Sequence, residues 1–214
     1  VVGLPDSPAR LVTSADIRAL VLLESHGLFA SDDSGLTWRS LTTPFQALPV
    51  AAAAFGAKSQ IYIATRDAEE VIVWRSADSG QQWQRWLVEP AGAAEVVPLA
   101  TSATSADVFV ALAGRVLRPL PYATERRGGE RRPVWRSALL ETGAAVTDLA
   151  VSPDYARDSS VLAATNVGVF ASRDGGEKFE PWSEGLVPAS VVSLLWSEPS
   201  TIYALTLGGA IWRR

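Results

Sequence analysis

The 214-residue chain has no cysteine, so disulfides and thiolate metal sites are excluded. It has one histidine, His26, which rules out a His-rich metal centre. Methionine is absent as well, and the first residue is valine. The sequence is therefore expected to begin after a removed segment, for which a secretory signal peptide is one candidate. No apolar run reaches the roughly 18 residues that a membrane-spanning helix needs, so no membrane span is expected. Positive charge is in short supply: 19 Lys and Arg face 23 Asp and Glu, for a net charge of −4. That balance argues against a general affinity for nucleic acid, which needs a positive field. Lysine itself is nearly missing, with only Lys58 and Lys178, a bias that fits a GC-rich genome better than a binding role. The 48% hydrophobic content suits a folded soluble protein.

What the chain does have is one turn motif three times over: Ser31-Asp-Asp-Ser-Gly-Leu-Thr-Trp38, Ser76-Ala-Asp-Ser-Gly-Gln-Gln-Trp83 and Ser172-Arg-Asp-Gly-Gly-Glu-Lys-Phe179. The shared frame is Ser-x-Asp-x-Gly-x-x-aromatic. Each copy follows a short apolar strand: Leu28-Phe-Ala-Ser31, Val73-Trp-Arg-Ser76 and Val169-Phe-Ala-Ser172. Two more segments stand in the same phase without the motif, Val116-Leu-Arg-Pro119 and Ile211-Trp-Arg-Arg214. Their last residues are spaced by 45, 43, 53 and 42 positions. Upstream of each lies a second strand, at 19–23, 61–65, 108–112, 161–165 and 202–206. Further upstream is a third, at 9–13, 48–53, 96–100, 146–151 and 191–196. A fourth follows the motif.

About four short strands per unit, at a period in the 40s, predict an all-β fold, a five-bladed β-propeller with about four antiparallel strands per blade. The expected units are 9–46, 47–93, 94–144, 145–189 and 190–214, within one domain spanning 1–214. Arg214 stands where the serine of a further motif would be, so either the fifth blade has three strands, short of its outer one, or residues beyond this sequence complete it. The third unit keeps its outer strand at Trp135-Arg-Ser but replaces the motif with an insertion rich in arginine. That insertion reads as a solvated loop.

The motif explains itself as a turn. The aspartate carboxylate accepts backbone N–H groups of its own turn, glycine permits a positive φ, and the aromatic residue buries a large face. The structural residues are thus Ser31, Asp33, Gly35, Trp38, Ser76, Asp78, Gly80, Trp83, Ser172, Asp174, Gly176 and Phe179. Calcium takes about 6–8 oxygen ligands, more than one such turn offers. No metal or cofactor is expected.

Three turns in one phase resemble the Asp-box (BNR) repeat proteins, the sortilin-like and photosystem-assembly-type propellers, and the resemblance covers almost the whole chain. Val151-Ser-Pro-Asp-Tyr-Ala-Arg-Asp through Arg173-Asp-Gly-Gly176 is especially similar to bacterial repeat proteins of this type. The resemblance implies a superfamily that includes sialidases, other glycosidases, sorting receptors and assembly factors. Its sialidases have six blades, an arginine triad, a tyrosine–glutamate pair and an early Arg-Ile-Pro motif. This chain has five units and no Arg-Ile-Pro, so no catalytic residue is carried over.

Glycoside hydrolysis needs two carboxylates about 5–10 Å apart, and no spacing among the acidic residues singles out such a pair. The candidate contact residues are His26, the group Arg66, Asp67, Glu69 and Glu70 in a lengthened hairpin, and Arg126, Arg127, Arg131 and Arg132 in the insertion. For each, the alternative is an ordinary solvated turn residue. The expected function is a non-enzymatic binding or assembly scaffold, monomeric and outside the cytoplasm, with a protein or glycan as its ligand. A lectin-like propeller and a glycoside hydrolase are the alternatives.

Overall fold

The computed structural model describes residues 9–13, 18–23, 27–45, 48–92, 97–102, 105, 107–127, 129–140, 144–182, 190–198 and 200–214. The chain forms two compact units, Val1–Glu89 and Pro90–Arg214. In the first unit, β1 (Ala9–Thr13), β2 (Ala19–Leu23), β3 (Gly27–Ser31) and β4 (Arg39–Ser40) form one sheet in that order. A second sheet contains β5 (Val50–Phe55), β6 (Ile61–Arg66), β7 (Glu70–Ser76) and β8 (Gln84–Pro90).

The second unit has three sheets. The third sheet of the chain orders β9 (Leu99–Thr101), β10 (Val108–Leu112), β11 (Arg115–Arg127) and β12 (Glu130–Leu139). The fourth contains β13 (Val146–Val151), β14 (Val161–Thr165), β15 (Gly168–Ser172) and β16 (Glu180–Pro181), with one helical turn, α1 (Tyr155–Asp158), between its first two strands. The fifth has three strands, β17 (Val191–Glu198), β18 (Thr201–Thr206) and β19 (Ile211–Arg213). The described strand pairings are antiparallel, between neighbours in sequence. These are the blades of a five-bladed β-propeller, an all-β fold in which the fifth blade has three described strands.

The second strand of a blade shows why the sequence folds this way. Ile61-Tyr-Ile-Ala-Thr65 is buried at every position, as are Val108–Leu112 and Val161–Thr165. A strand covered on both faces reads as a continuous apolar run, and each buried Val, Leu or Ile contributes about 1.5–3 kcal/mol. In the first unit, Leu20, Leu28, Leu41, Phe45, Ile63 and Trp74 fill the space between sheets one and two. In the second, Phe109, Tyr155 and Phe170 join sheets three and four, while Val169, Leu194 and Ile202 join sheets four and five. Trp83 and Trp74 pack on Phe45 with ring centroids 5.3 and 5.2 Å apart, and Trp182 meets Trp212 edge-on at 6.0 Å. Trp86, which sits off the repeat column, lies half-buried beneath the Arg75 guanidinium, 4.6 Å from its ring centre.

The insertion differs from its reading as a loop. β11 and β12 continue past Pro119 and pair again at Thr124–Pro133, Glu125–Arg132, Arg126–Arg131 and Arg127–Glu130. The physical reason is in the sequence: a Gly-Gly pair favours a two-residue hairpin connection, and Tyr122, Thr124 and Val134 are residue types that suit strands. Pro119, Pro121 and Pro133 lack N–H donors, and the register shift falls in this stretch, between Pro119 and Thr124.

Candidate functional site

The three Ser-x-Asp-x-Gly turns share one hydrogen-bond design. The Ser31 hydroxyl donates to Asp33 Oδ1 (2.8 Å) and accepts the Gly35 N–H (2.9 Å). Ser76 and Ser172 do the same with Asp78 and Gly80, and with Asp174 and Gly176, at 2.7–2.8 Å. Each aspartate then accepts amides from the far side of its turn: Thr37 for Asp33, Gln81 and Gln82 for Asp78, Glu177 and Lys178 for Asp174. Asp33 also accepts the Thr37 hydroxyl, a partner absent from the other two turns. The residue before each glycine, Ser34, Ser79 or Gly175, has positive φ too. Two left-handed residues in succession make the tight corner, and the second is glycine in every copy.

These bonds favour the ionised carboxylate. The Thr37 hydroxyl and amide, followed by the Ser31 hydroxyl, hold Asp33 down at about 2. Asp78 is lowered by the Gln82 amide and the Ser76 hydroxyl. At Asp174 burial pushes upward, but the Ser172 hydroxyl and the Lys178 and Glu177 amides outweigh it. The carboxylates are occupied by their own turns.

The turns also join sheets. A Cβ on Gly80 would lie 2.9 Å from the Leu41 methyls, and one on Gly176 would lie 2.9 Å from the Phe109 ring. Arg39 of β4 donates to Ser79 O at 2.7 Å. In the second unit Arg118 bonds Glu177 at 2.7 Å, and Arg136 stands 3.6 Å from the same carboxylate. Arg39 and Arg136 occupy the same place in the repeated Trp-Arg-Ser strand, a signal visible in the sequence that the motif-centred reading missed. Within a sheet, the loop between the first two strands supports the turn: Ser79 N–H donates to Ser59 O and Gly175 N–H to Ser159 O. Tyr155, raised to about 12 by burial and the nearby Asp107 charge, sits beside Gly175.

Of the predicted contact residues, His26 lies outside the described residues. Arg66, Asp67, Glu69 and Glu70 fall at the β6–β7 hairpin. There Asp67 Oδ1 accepts the Glu69 and Glu70 amides, both at 2.8 Å, and these bonds lower its pKa. Asp67 is thus a turn-forming residue, while Glu69 and Glu70 are exposed. The four arginines of the insertion come together on the β11–β12 arm. Strand alternation separates its two faces: Arg126 and Arg131 stand directly opposite each other, next to Thr124 and Pro133. The positions of Glu125, Arg127, Glu130 and Arg132 make up the other face. Arg131 Nε donates to Thr124 Oγ1 at 2.9 Å, and Arg126 and Arg131 are exposed. Of the described side chains, Arg126 and Arg131 thus share one face of the arm, and Glu125 and Arg132 share the other.

The second unit also holds a cavity of about 270 Å³, lined by Leu162, Trp182, Trp196 and Ile202 together with Arg173 and Arg214. The Arg214 guanidinium lies over Trp182, 4.7 Å from its ring centre. Among the described residues no group of three or more His, Cys, Asp or Glu side chains could hold a metal ion, and no helix is long and apolar enough to cross a membrane.

No protein-family model and no curated protein sequence matches the chain. Solved structures do resemble it. YCF48 bound to D1 peptide is 16% identical over 100% of this chain and 81% of its own, with a TM-score of 0.51. A catalytically inactive virginiamycin B lyase from Staphylococcus aureus is 10% identical over 97% and 69%, with a TM-score of 0.59. The GH74 xyloglucanase from Xanthomonas campestris is 18% identical over 97% and 36%, with a TM-score of 0.63. The chain thus spans about a third of the xyloglucanase and four-fifths of the YCF48 chain. Proteins as different as these share the fold, so the likeness is one of architecture.

Proposed function

We propose that the chain is a non-enzymatic binding or assembly scaffold of the Asp-box (BNR) propeller type, and that its β11–β12 arm docks an acidic segment of a protein partner. The observation that carries this reading is the register that sets Arg126 opposite Arg131 on one face of an exposed hairpin. Like charges facing each other across a strand pair are unfavourable, and an acidic partner relieves that cost. Guanidinium forks suit carboxylates in particular. The similar YCF48 was solved bound to D1 peptide, which supports a polypeptide as the ligand.

Retention on immobilised polyglutamate tests the proposal. The Arg126→Ser/Arg131→Ser variant is expected to elute at clearly lower salt than the parent protein. An Arg85→Ser/Arg157→Ser variant, with the same loss of charge elsewhere, should elute close to the parent. Equal shifts for both double variants would mean that net charge alone governs retention and would remove the arm from the site.

A further inference from the structure

The two ends of the second unit differ in charge. The β10–β11, β14–β15 and β18–β19 turns lie at one end, beside the residues that lead into the first strands of sheets four and five. A Cβ on Gly114 would lie 3.1 Å from Ala144 O, Asn166 N–H donates to Ala145 O, and Leu207 N–H donates to Ser190 O. Thr147 Oγ1 donates to Val191 O, which joins the starts of β13 and β17. Residues 112–115, 139–140, 144–146, 165–168, 190–191 and 206–211, all described, form this end and include one charged group, Arg115. The opposite end, with the Ser-x-Asp-x-Gly turn and the loops between first and second strands, carries Asp107, Asp154, Arg157, Asp158, Arg173 and Glu177.

The end with little charge is also apolar at its tips. Leu139, Val167 and Leu207 are 74%, 51% and 75% exposed. Leu139 stands across from Arg115, beside the β10–β11 turn, while Val167 and Leu207 belong to the next two turns. The amides of those turns are paired within the chain. Thr165 Oγ1 accepts the Val167 N–H at 3.1 Å and donates to Gly168 O at 2.8 Å. Thr206 accepts the Gly209 N–H at its carbonyl and the Ala210 N–H at its hydroxyl. With Asn166 and Leu207 bonded as above, these amides can leave water without the cost of an unmet donor. One exposed leucine is ordinary. Three apolar tips on successive sheets, at the end opposite the charged residues, mark an interaction surface.

We propose that this end of the second unit docks on a lipid bilayer, with Leu139, Val167 and Leu207 entering the boundary between headgroups and acyl chains. The tips belong to three separate sheets, so they meet a partner as separate points. A fluid bilayer accommodates such points, and it asks for few charges and no free amide donors where they enter. Affinity then comes from the apolar area buried, without attraction to anionic lipid. β11 and β12 run from Arg115 and Leu139 at this end to Arg127 and Glu130 at the other. A docked unit therefore holds the arm away from the lipid, and the proposal does not rest on the arm's function.

Flotation of the full chain with phosphatidylcholine vesicles, which carry no net charge, tests the proposal. The parent protein is expected to float with the vesicles in molar salt as well as in low salt. Val167→Ser and Leu207→Ser should each bind about tenfold more weakly, the size of one apolar side chain returned to water. Leu207→Trp keeps an apolar tip of a kind that favours the lipid interface and should bind at least as tightly as the parent. This gain does not depend on the serine variants being well folded. Leu36→Ser removes a comparably exposed leucine from a turn of the first unit and should change nothing. Arg126→Ser/Arg131→Ser should also float like the parent, which separates this surface from the arm. Three results would overturn the proposal: a parent protein that stays with the buffer, serine variants that float like the parent, or release of the protein by salt. A parent that does not float but forms a dimer, which Leu207→Ser dissociates, would assign the surface to a second copy of the chain instead.

Discussion

Two hairpins of the second unit connect the same pair of strand positions in neighbouring sheets, and they use their residues in opposite ways. The β15–β16 turn folds its polar groups inward: Ser172, Asp174 and the amides of residues 176–178 satisfy one another. Among its described residues the β11–β12 arm has no such centre; its exposed side chains include Glu125, Arg126 and Arg131. The glycines make the same contrast. Gly176 has φ +85 and the Phe109 ring where its Cβ would be, whereas Gly129 has φ +84 and nothing within 4 Å. A regular turn gives up its chemistry to hold the fold, whereas the departure from regularity carries charged side chains on its surface.

The largest expected effect separates these two glycines. Gly176→Ala carries both the left-handed penalty and overpacking against a buried ring, together about 2–4 kcal/mol. Gly129→Ala carries only the first, about 1–2 kcal/mol. Urea unfolding of both variants measures the gap, and equal losses would show that Phe109 gives way freely. Next comes Ser172→Ala. It removes the acceptor of the buried Gly176 N–H and one donor to Asp174 at once, for an expected loss of about 1–3 kcal/mol. No serine on the arm holds a comparable position.

The turns were legible because their residue types follow directly from their geometry: a carboxylate facing amides, a hydroxyl bridging them, and a glycine at positive φ. The strand phase was legible for the same reason. Strands were expected at 19–23, 108–112, 146–151 and 161–165, and the structure has them at those residues. The arm was harder to read because its arginines and glutamates lower apparent strand propensity, although Gly128-Gly129 marked the turn. Neither Arg39 nor Arg136 stood out, because the repeated Trp-Arg-Ser marks an outer strand, while the Ser79 carbonyl and Glu177 carboxylate that these arginines meet lie on the turn of the next sheet.

Acid titration sharpens the comparison further. Asp33 falls from an ordinary 3.8 to about 2, and Asp78 and Asp174 shift in the same direction. A carboxylate with a depressed folded-state pKa contributes stability that is present above its unfolded value and is lost as pH falls through the folded one. The melting temperature should therefore drop between about pH 4 and pH 2. A variant carrying Asp33→Asn, Asp78→Asn and Asp174→Asn should start lower at pH 7 and show a shallower drop over that interval. Parallel curves would mean that the turns do not hold these carboxylates in their ionised form.

The smallest effect is expected on the arm, and its sign is the informative part. Exposed substitutions away from caps and cores usually change stability by less than about 0.5 kcal/mol. Arg126 opposite Arg131 adds a like-charge term, so Arg131→Glu should raise the melting temperature slightly by turning a repulsive cross-strand pair into an attractive one. Because both side chains are exposed, that gain should be present at low ionic strength and fade in molar salt, where the screening length falls to about 3 Å. The same substitution should weaken retention on polyglutamate. A variant that is more stable and yet binds less would show that the two arginines face each other for the benefit of a ligand, since the fold itself gains from separating them.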